Sequence, residues 1–174
     1  VLAVLLVLVI LVVVILCMIF GGGSWKTPIN NVMDVLNDGD GKAYQELMPP
    51  YVKDMADALD GIVDISDEDY DEEAENQRDR LTKKYGDDAE ISYEVVKKTE
   101  VDSDDIDSYN DMSDLGSVLG VKKAKKYKLT KAYKVKIKYT IEGEDADKTD
   151  KTTVVVGKMD GTWVLLDEGD LPIS

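Results

Sequence analysis

The hydropathy pattern changes period twice along the chain, and each change marks a different kind of structure. Residues 1–20, VLAVLLVLVILVVVILCMIF, are apolar at every position. Twenty residues at about 1.5 Å rise each match the roughly 30 Å hydrocarbon layer of a bilayer. The run has no polar face and is too rich in β-branched residues for a helix of a soluble core, which predicts a membrane-spanning helix over 1–20. It exceeds the roughly 7 to 15 apolar residues of a cleavable signal core. Leu16 rather than a small residue precedes Cys17, so lipoprotein processing is not expected and the anchor stays attached.

From residue 27 the apolar positions recur at helical spacing. Thr27 and Pro28 are a helix start, Thr27 as cap and Pro28 at the first helical position, where its missing N–H costs nothing. Ile29, Val32, Met33 and Leu36 then share one face until Asn37-Asp38-Gly39 ends the helix. Asp40 caps a short second helix carrying Ala43, Tyr44, Leu47 and Met48, which Pro49-Pro50 closes, and Val52, Met55, Ala56 and Leu59 predict a third.

Two acidic stretches follow. Asp64, Ser66, Glu68 and Glu75 fall at positions 1, 3, 5 and 12 of a calcium-loop pattern, but Asp69 stands where that loop needs glycine. A helix from Ser66 to Gly86 explains more residues: Ser66 and Asp69 approximate a capping box, acids crowd the first turns, and Arg78, Arg80, Lys83 and Lys84 the last. Asp102 to Asp114 is a second such helix, with Ser103 as cap and Ile106, Tyr109, Met112 and Leu115 along one side.

Period 2 then replaces period 3.6. Ile91, Tyr93 and Val95 alternate with polar residues, and Tyr133, Val135, Ile137, Tyr139 and Ile141 alternate with Lys134, Lys136, Lys138 and Thr140. Residues 152–159 and 162–167 flank Asp160-Gly161, a two-residue hairpin signal. Helices, a strand, a helix and a three-stranded meander make an α+β domain with helices on one face of an antiparallel sheet. Trp163, just after the hairpin, is expected to pack against the helices.

Charge refines this picture. The 174-residue chain has 21 Lys and Arg, 36 Asp and Glu, no His and a net charge of −15, all of it beyond Phe20. Residues 27–174 suit one domain. Without His, and with Cys17 alone, the chain has no Cys/His zinc site and no Ser-His or Cys-His nucleophile; no metal and no cofactor is expected. Residues 21–26 read as a spacer and membrane interface, with Trp25 and Lys26 as an interfacial aromatic and a snorkelling cation. The acidic flank beyond them places the domain outside the cytoplasm under the positive-inside rule. Net negative charge argues against nucleic acid. One local exception stands out: nine lysines lie between Lys122 and Lys138 with no acid among them. Lys134, Lys136 and Lys138 must share one strand face, either as a solvated face paired with acids such as Glu90 and Glu94 or as an anion-binding surface.

Thr27-Pro28, the Asp38-Gly39-Asp40 break, the strand YKVKIKYTI at 133–141 and the hairpin GKMDGTWVLLD at 157–167 together resemble the nuclear transport factor 2-like, cystatin-like superfamily, in particular small membrane-anchored or lipoprotein members from low-GC Gram-positive bacteria. The resemblance covers most of residues 27–167. It implies a cone-shaped domain, with the N-terminal helices packed on a curved sheet around a pocket. Isomerases and dehydratases of that superfamily use an Asp or His base with Tyr or acid donors, and no motif here carries those residues across. The expectation is a non-enzymatic, membrane-tethered extracytoplasmic binding or assembly domain, in contact with lipid through the N-terminal helix and with a ligand or cell-surface partner through the rest. Its alternatives are a small-molecule enzyme using an acid and tyrosines in the cone, and a sensor subunit with a cytosolic module before Val1.

Overall fold

The computed structural model describes residues 23–50, 66–113 and 127–172. The expected membrane helix, the expected helix carrying Val52 to Leu59 and the lysines from 122 to 126 lie outside the described residues. No helix among the described residues is long and apolar enough to cross a membrane.

Helix α1 (Thr27–Asp38) starts one residue before its sequence signal, with Lys26 as the flanking residue. Thr27 therefore lies inside the helix, and its Oγ1 accepts the Ser24 N–H at 3.1 Å instead of capping. Gly39 closes the helix by donating its N–H to the Val35 carbonyl. Helix α2 (Gly41–Leu47) is capped as expected, Asp40 Oδ1 accepting the Ala43 N–H at 3.0 Å. Gly41 leaves no room for a side chain: a Cβ there would lie 2.7 Å from Asp71 Cα.

Helix α3 (Asp67–Tyr85) has the charge order that its dipole favours, with Asp67, Glu68 and Asp69 in the first turn and Lys83 and Lys84 in the last. Asp69 Oδ2 accepts both the N–H and the hydroxyl of Ser66, at 2.6 and 2.8 Å. A continuous helix through Glu68 and Glu75 cannot wrap an ion as a calcium loop does. Helix α4 (Ser103–Ser113) is entered one residue early: the Asp102 carbonyl accepts the Ile106 N–H, so Asp102 rather than Ser103 holds the cap position.

The sheet is an antiparallel meander in sequence order, β1 (Glu90–Glu100), β2 (Leu129–Glu142), β3 (Lys148–Met159) and β4 (Thr162–Asp167). Asp160 and Gly161 have φ of 48° and 87°, the double positive φ that a type I′ hairpin requires. Alternation gives the sheet two unlike faces. The inner face brings Ile91, Val135, Ile137, Tyr139, Ile141, Val154 and Val156 against Ile29, Val32, Val35 and Leu36 of α1 and against the buried residues of α2 and α3. On the outer face, Ala132, Gly157 and Val164 lie in one cross-strand row. Ala132 and Val164 are buried, as are Leu129 and Met159 near them, outside the main core. Helix α4 packs at this end of β2.

Two asparagines tie helices to strand backbone. Asn37 of α1 donates to the Ile91 carbonyl at 2.9 Å and accepts the Ile91 N–H at 2.8 Å. Asn110 of α4 makes the same pair with Leu129, at 3.0 and 2.8 Å. Each side-chain amide imitates one residue of a neighbouring strand, which satisfies backbone groups that would otherwise face outward. Arg78 of α3 completes the joint at the start of β1, donating to the carbonyls of Leu36 and Ala89.

Candidate functional site

Trp25 is not a free linker residue. It meets Tyr133 edge-on, ring centroids 6.3 Å apart at 70°, and Tyr133 in turn stacks on Trp163 at 5.4 Å and 13°. The three rings, all partly buried against the core, form a cluster where α1 begins and the inner face of the sheet runs out. Lysines surround it. Lys98 Nζ is 4.4 Å from the Tyr133 centroid and 4.9 Å from that of Trp25, Lys131 Nζ is 5.3 Å from Tyr133, and Lys26 Nζ is 5.5 Å from Trp25. These are cation–π distances. Lys131 also pairs with Glu100 at 3.2 Å, and its ammonium pKa is raised, first by the Tyr133 hydroxyl and then by Glu100.

Sequence reasoning placed Trp25 and Lys26 at an interface but treated Tyr133 and Trp163 as core and overlooked Lys98. Residues 25, 98, 133 and 163 share no local spacing, so only the tertiary fold brings them together.

Lys134, Lys136 and Lys138 lie on the outer sheet face, and the strand register adds Lys97 beside Lys136 and Lys151 beside Lys138. Most of these side chains are exposed, and α4 reaches the group at its Lys134 end. The expected acid partners divide. Glu94 is opposite Lys138, whereas Glu90 is opposite Glu142. Lys134 finds a different acid, Asp105 of α4 at 3.8 Å. Both members of that pair are more than half exposed, so it contributes little to stability.

A cleft of about 200 Å³ lies between α1, α2, α3 and the end of β4, with Val35, Leu47 and Leu165 as its apolar wall and Tyr44, Gln77 and Glu168 as polar groups. Gln77 donates to Glu73 at 2.8 Å, and its amide oxygen is buried without a partner. The Tyr44 pKa is raised, chiefly by burial and then by the charges of Glu73 and Glu168. Tyr44 therefore remains a phenol over a wide pH range, a hydrogen-bond donor rather than a base. Sequence reasoning missed Gln77, which sits in a helix whose other signals are all charge. Among the described residues, no group of three or more acids or thiols is spaced to hold a metal ion.

Comparison with protein-family models, with curated proteins and with solved structures finds no match in any of the three.

Proposed function

We propose that this chain is a membrane-tethered extracytoplasmic domain that works by binding or assembly, with residues 1–20 as its span and the lysine-bearing sheet face as its recognition surface. The observation that carries this reading is the gathering of Lys97, Lys134, Lys136, Lys138 and Lys151, most of them exposed, on the outer sheet face of a chain whose net charge is −15. A positive island on an acidic body attracts a polyanion while the remainder repels it, which orients the encounter. The partner is an anionic polymer of the cell surface. The order of elements, with helices on one face of an antiparallel meander, is compatible with a cone of the nuclear transport factor 2-like, cystatin-like kind, and the cleft at Tyr44 would be its mouth.

The test uses the full chain reconstituted in lipid nanodiscs and poly(glycerol phosphate) as probe. The expected result is saturable binding that weakens as salt rises and is lost when Lys134, Lys136 and Lys138 are replaced by Glu. Absence of wild-type binding, or binding indifferent to the triple change, refutes the assignment of this face.

A second reading, a small-molecule enzyme, draws on one observation: Tyr44 with Glu168 in the cleft is a tyrosine–acid pair of the sort that resemblance implies. Tyr44→Phe would abolish such an activity and leave polymer binding unchanged.

A further inference from the structure

We infer that the ring cluster of Trp25, Tyr133 and Trp163, with its lysines, is a docking surface for the headgroup layer of an anionic bilayer, so that the domain stands end-on on the membrane. This rests on residues 1–20 spanning that membrane.

Distance supports it first. Only residues 21–24 separate Phe20 from Trp25, and five peptide steps reach at most about 18 Å. Trp25 is packed into the domain through Tyr133, so Trp25 is held within that reach of the end of the apolar run, with Tyr133 and Trp163 one and two ring contacts beyond it. A spacer this short gives the tethered surface a high effective concentration at the membrane.

The chemistry of the surface supports it independently. Tryptophan and tyrosine sit at the headgroup level because one part of each ring is apolar and the other polar, and lysine extends its charge into the same layer. All three rings keep some exposure, and the only large hydrophobic side chains left exposed among the described residues, Val95 and Val96, precede Lys98 on β1. Val96 occupies a β-bulge, which twists the edge strand there.

Charge points the same way. Lys26, Lys98, Lys128, Lys131 and Lys158 lie at this end, where Lys158 is opposite both Lys131 and Trp163 in the sheet. Of the acids near them among the described residues, Glu100 is already paired with Lys131, Asp102 opens α4 and Asp160 belongs to the hairpin. On α4, Asp105 approaches the outer face instead, where it meets Lys134. An anionic surface therefore favours contact through the rings over contact through α4.

The test exploits the fact that Trp25 and Trp163 are the two tryptophans of the chain. In Trp25→Phe the emission comes from Trp163, which is distant from the tether in sequence. The full-length variant is reconstituted into vesicles of phosphatidylcholine and phosphatidylglycerol carrying bromines at defined acyl positions. Trp163 should be quenched, more by bromines near the headgroups than by deep ones, and should be shielded from acrylamide added to the water. Raising salt should weaken the quenching. So should Lys98→Gln or Lys131→Gln, each lowering the docking equilibrium about fivefold, the effect of one lysine near an anionic surface. The salt titration of the parent protein gives the same information where a variant fails to fold. Failure of the chain to float with the vesicles overturns the membrane span itself. Flotation without bromine quenching of Trp163 overturns the docking surface alone. Shielding from acrylamide without bromine quenching also overturns it, and indicates a protein, such as a second copy of the chain, over the same rings.

Discussion

Replacing Asn37 should unfasten the edge of the sheet from the helical layer, at a cost that can be worked out from its two hydrogen bonds. Strand β1 is an edge strand, and Ile91, at 1% exposure, directs a backbone N–H and carbonyl to the side that no strand covers. Asn37 satisfies both, at 2.8 and 2.9 Å. Each such bond is worth about 0.5–1.5 kcal/mol net, and a buried group left without a partner costs about 1–3 kcal/mol. Asn37 is itself partly exposed, so water can enter the space left by Asn37→Ala and recover part of that loss. Alanine also gains about 0.5 kcal/mol in helix propensity at this position. The expected net loss is about 2–3 kcal/mol. Asn37→Asp isolates the donor. Its carboxylate still accepts from Ile91 N–H but sets a second oxygen against the Ile91 carbonyl, so the folded state favours the protonated acid and raises its pKa. Stability gained by a group with a raised folded pKa is complete below its unfolded pKa and is lost as pH rises through the folded one. The Asp variant should therefore lie closer to the parent at pH 4 than at pH 7. Urea unfolding of the full chain in mild detergent, followed by tryptophan emission, measures all three proteins at both pH values. A loss below 1 kcal/mol for Asn37→Ala with an unchanged m-value, or an Asp variant equal to the parent at pH 7, would refute the idea that this side chain serves as a strand partner.

Trp163→Ala should cost about 3–4 kcal/mol by the same measurement, from roughly two thirds of the area of a large ring at about 25 cal/mol/Å² together with its stack on Tyr133. Full burial would raise this to about 5 kcal/mol, but Trp163 is only partly buried; a loss under 1 kcal/mol would mean that the ring stack does not hold in solution. The Asp69 carboxyl accepts from the N–H and hydroxyl of Ser66, and its pKa is lowered for that reason. A depressed folded pKa means that the cap is intact above the unfolded pKa and is lost as pH falls through the folded value. NMR should show Asp69 titrating below an ordinary aspartate while the first turn of α3 frays in parallel, and Asp69→Ala should remove that acid-dependent step; a normal Asp69 titration would contradict the cap.

Much of the fold was legible in the sequence because its signals are local. The period-2 run at Tyr133 to Ile141, the Asp160-Gly161 hairpin, the Asp40 cap and the charge order of α3 each act within a few residues, and each stands in the structure where its pattern places it. Two helix starts slipped by one residue for a local reason as well: Thr27 and Ser103 both resemble caps, but Ser24 draws the Thr27 hydroxyl backwards and the Asp102 carbonyl already receives the first bond of α4. Register was the part sequence could not give. Glu90 is opposite Glu142 rather than a lysine, because β1 and β2 are far apart in sequence and no tight turn between them announces which residues will pair. The asparagine clamps were equally hidden, since Asn37 appears in the sequence only as part of a helix stop.

The two lysine groups were one feature in the sequence and are two in space. Period 2 sends Lys134, Lys136 and Lys138 outward, and the same alternation sends Lys131, two residues before Tyr133, to the inner side beside that ring. With the rings on the bilayer, β2 leads away from it, and at about 3.3 Å per residue Lys138 stands about 13 Å farther out than Lys134. Headgroups then approach Lys134 first and Lys138 least, whereas a polymer lying along the sheet meets all three. The proposed surfaces must therefore separate under mutation: replacing Lys134, Lys136 and Lys138 by Glu should abolish polymer binding and leave bromine quenching of Trp163 nearly intact, and Lys98→Gln should weaken the quenching and leave polymer binding nearly intact. Loss of both signals from either set of changes would mean that one diffuse positive field, rather than two sites with different partners, does the binding.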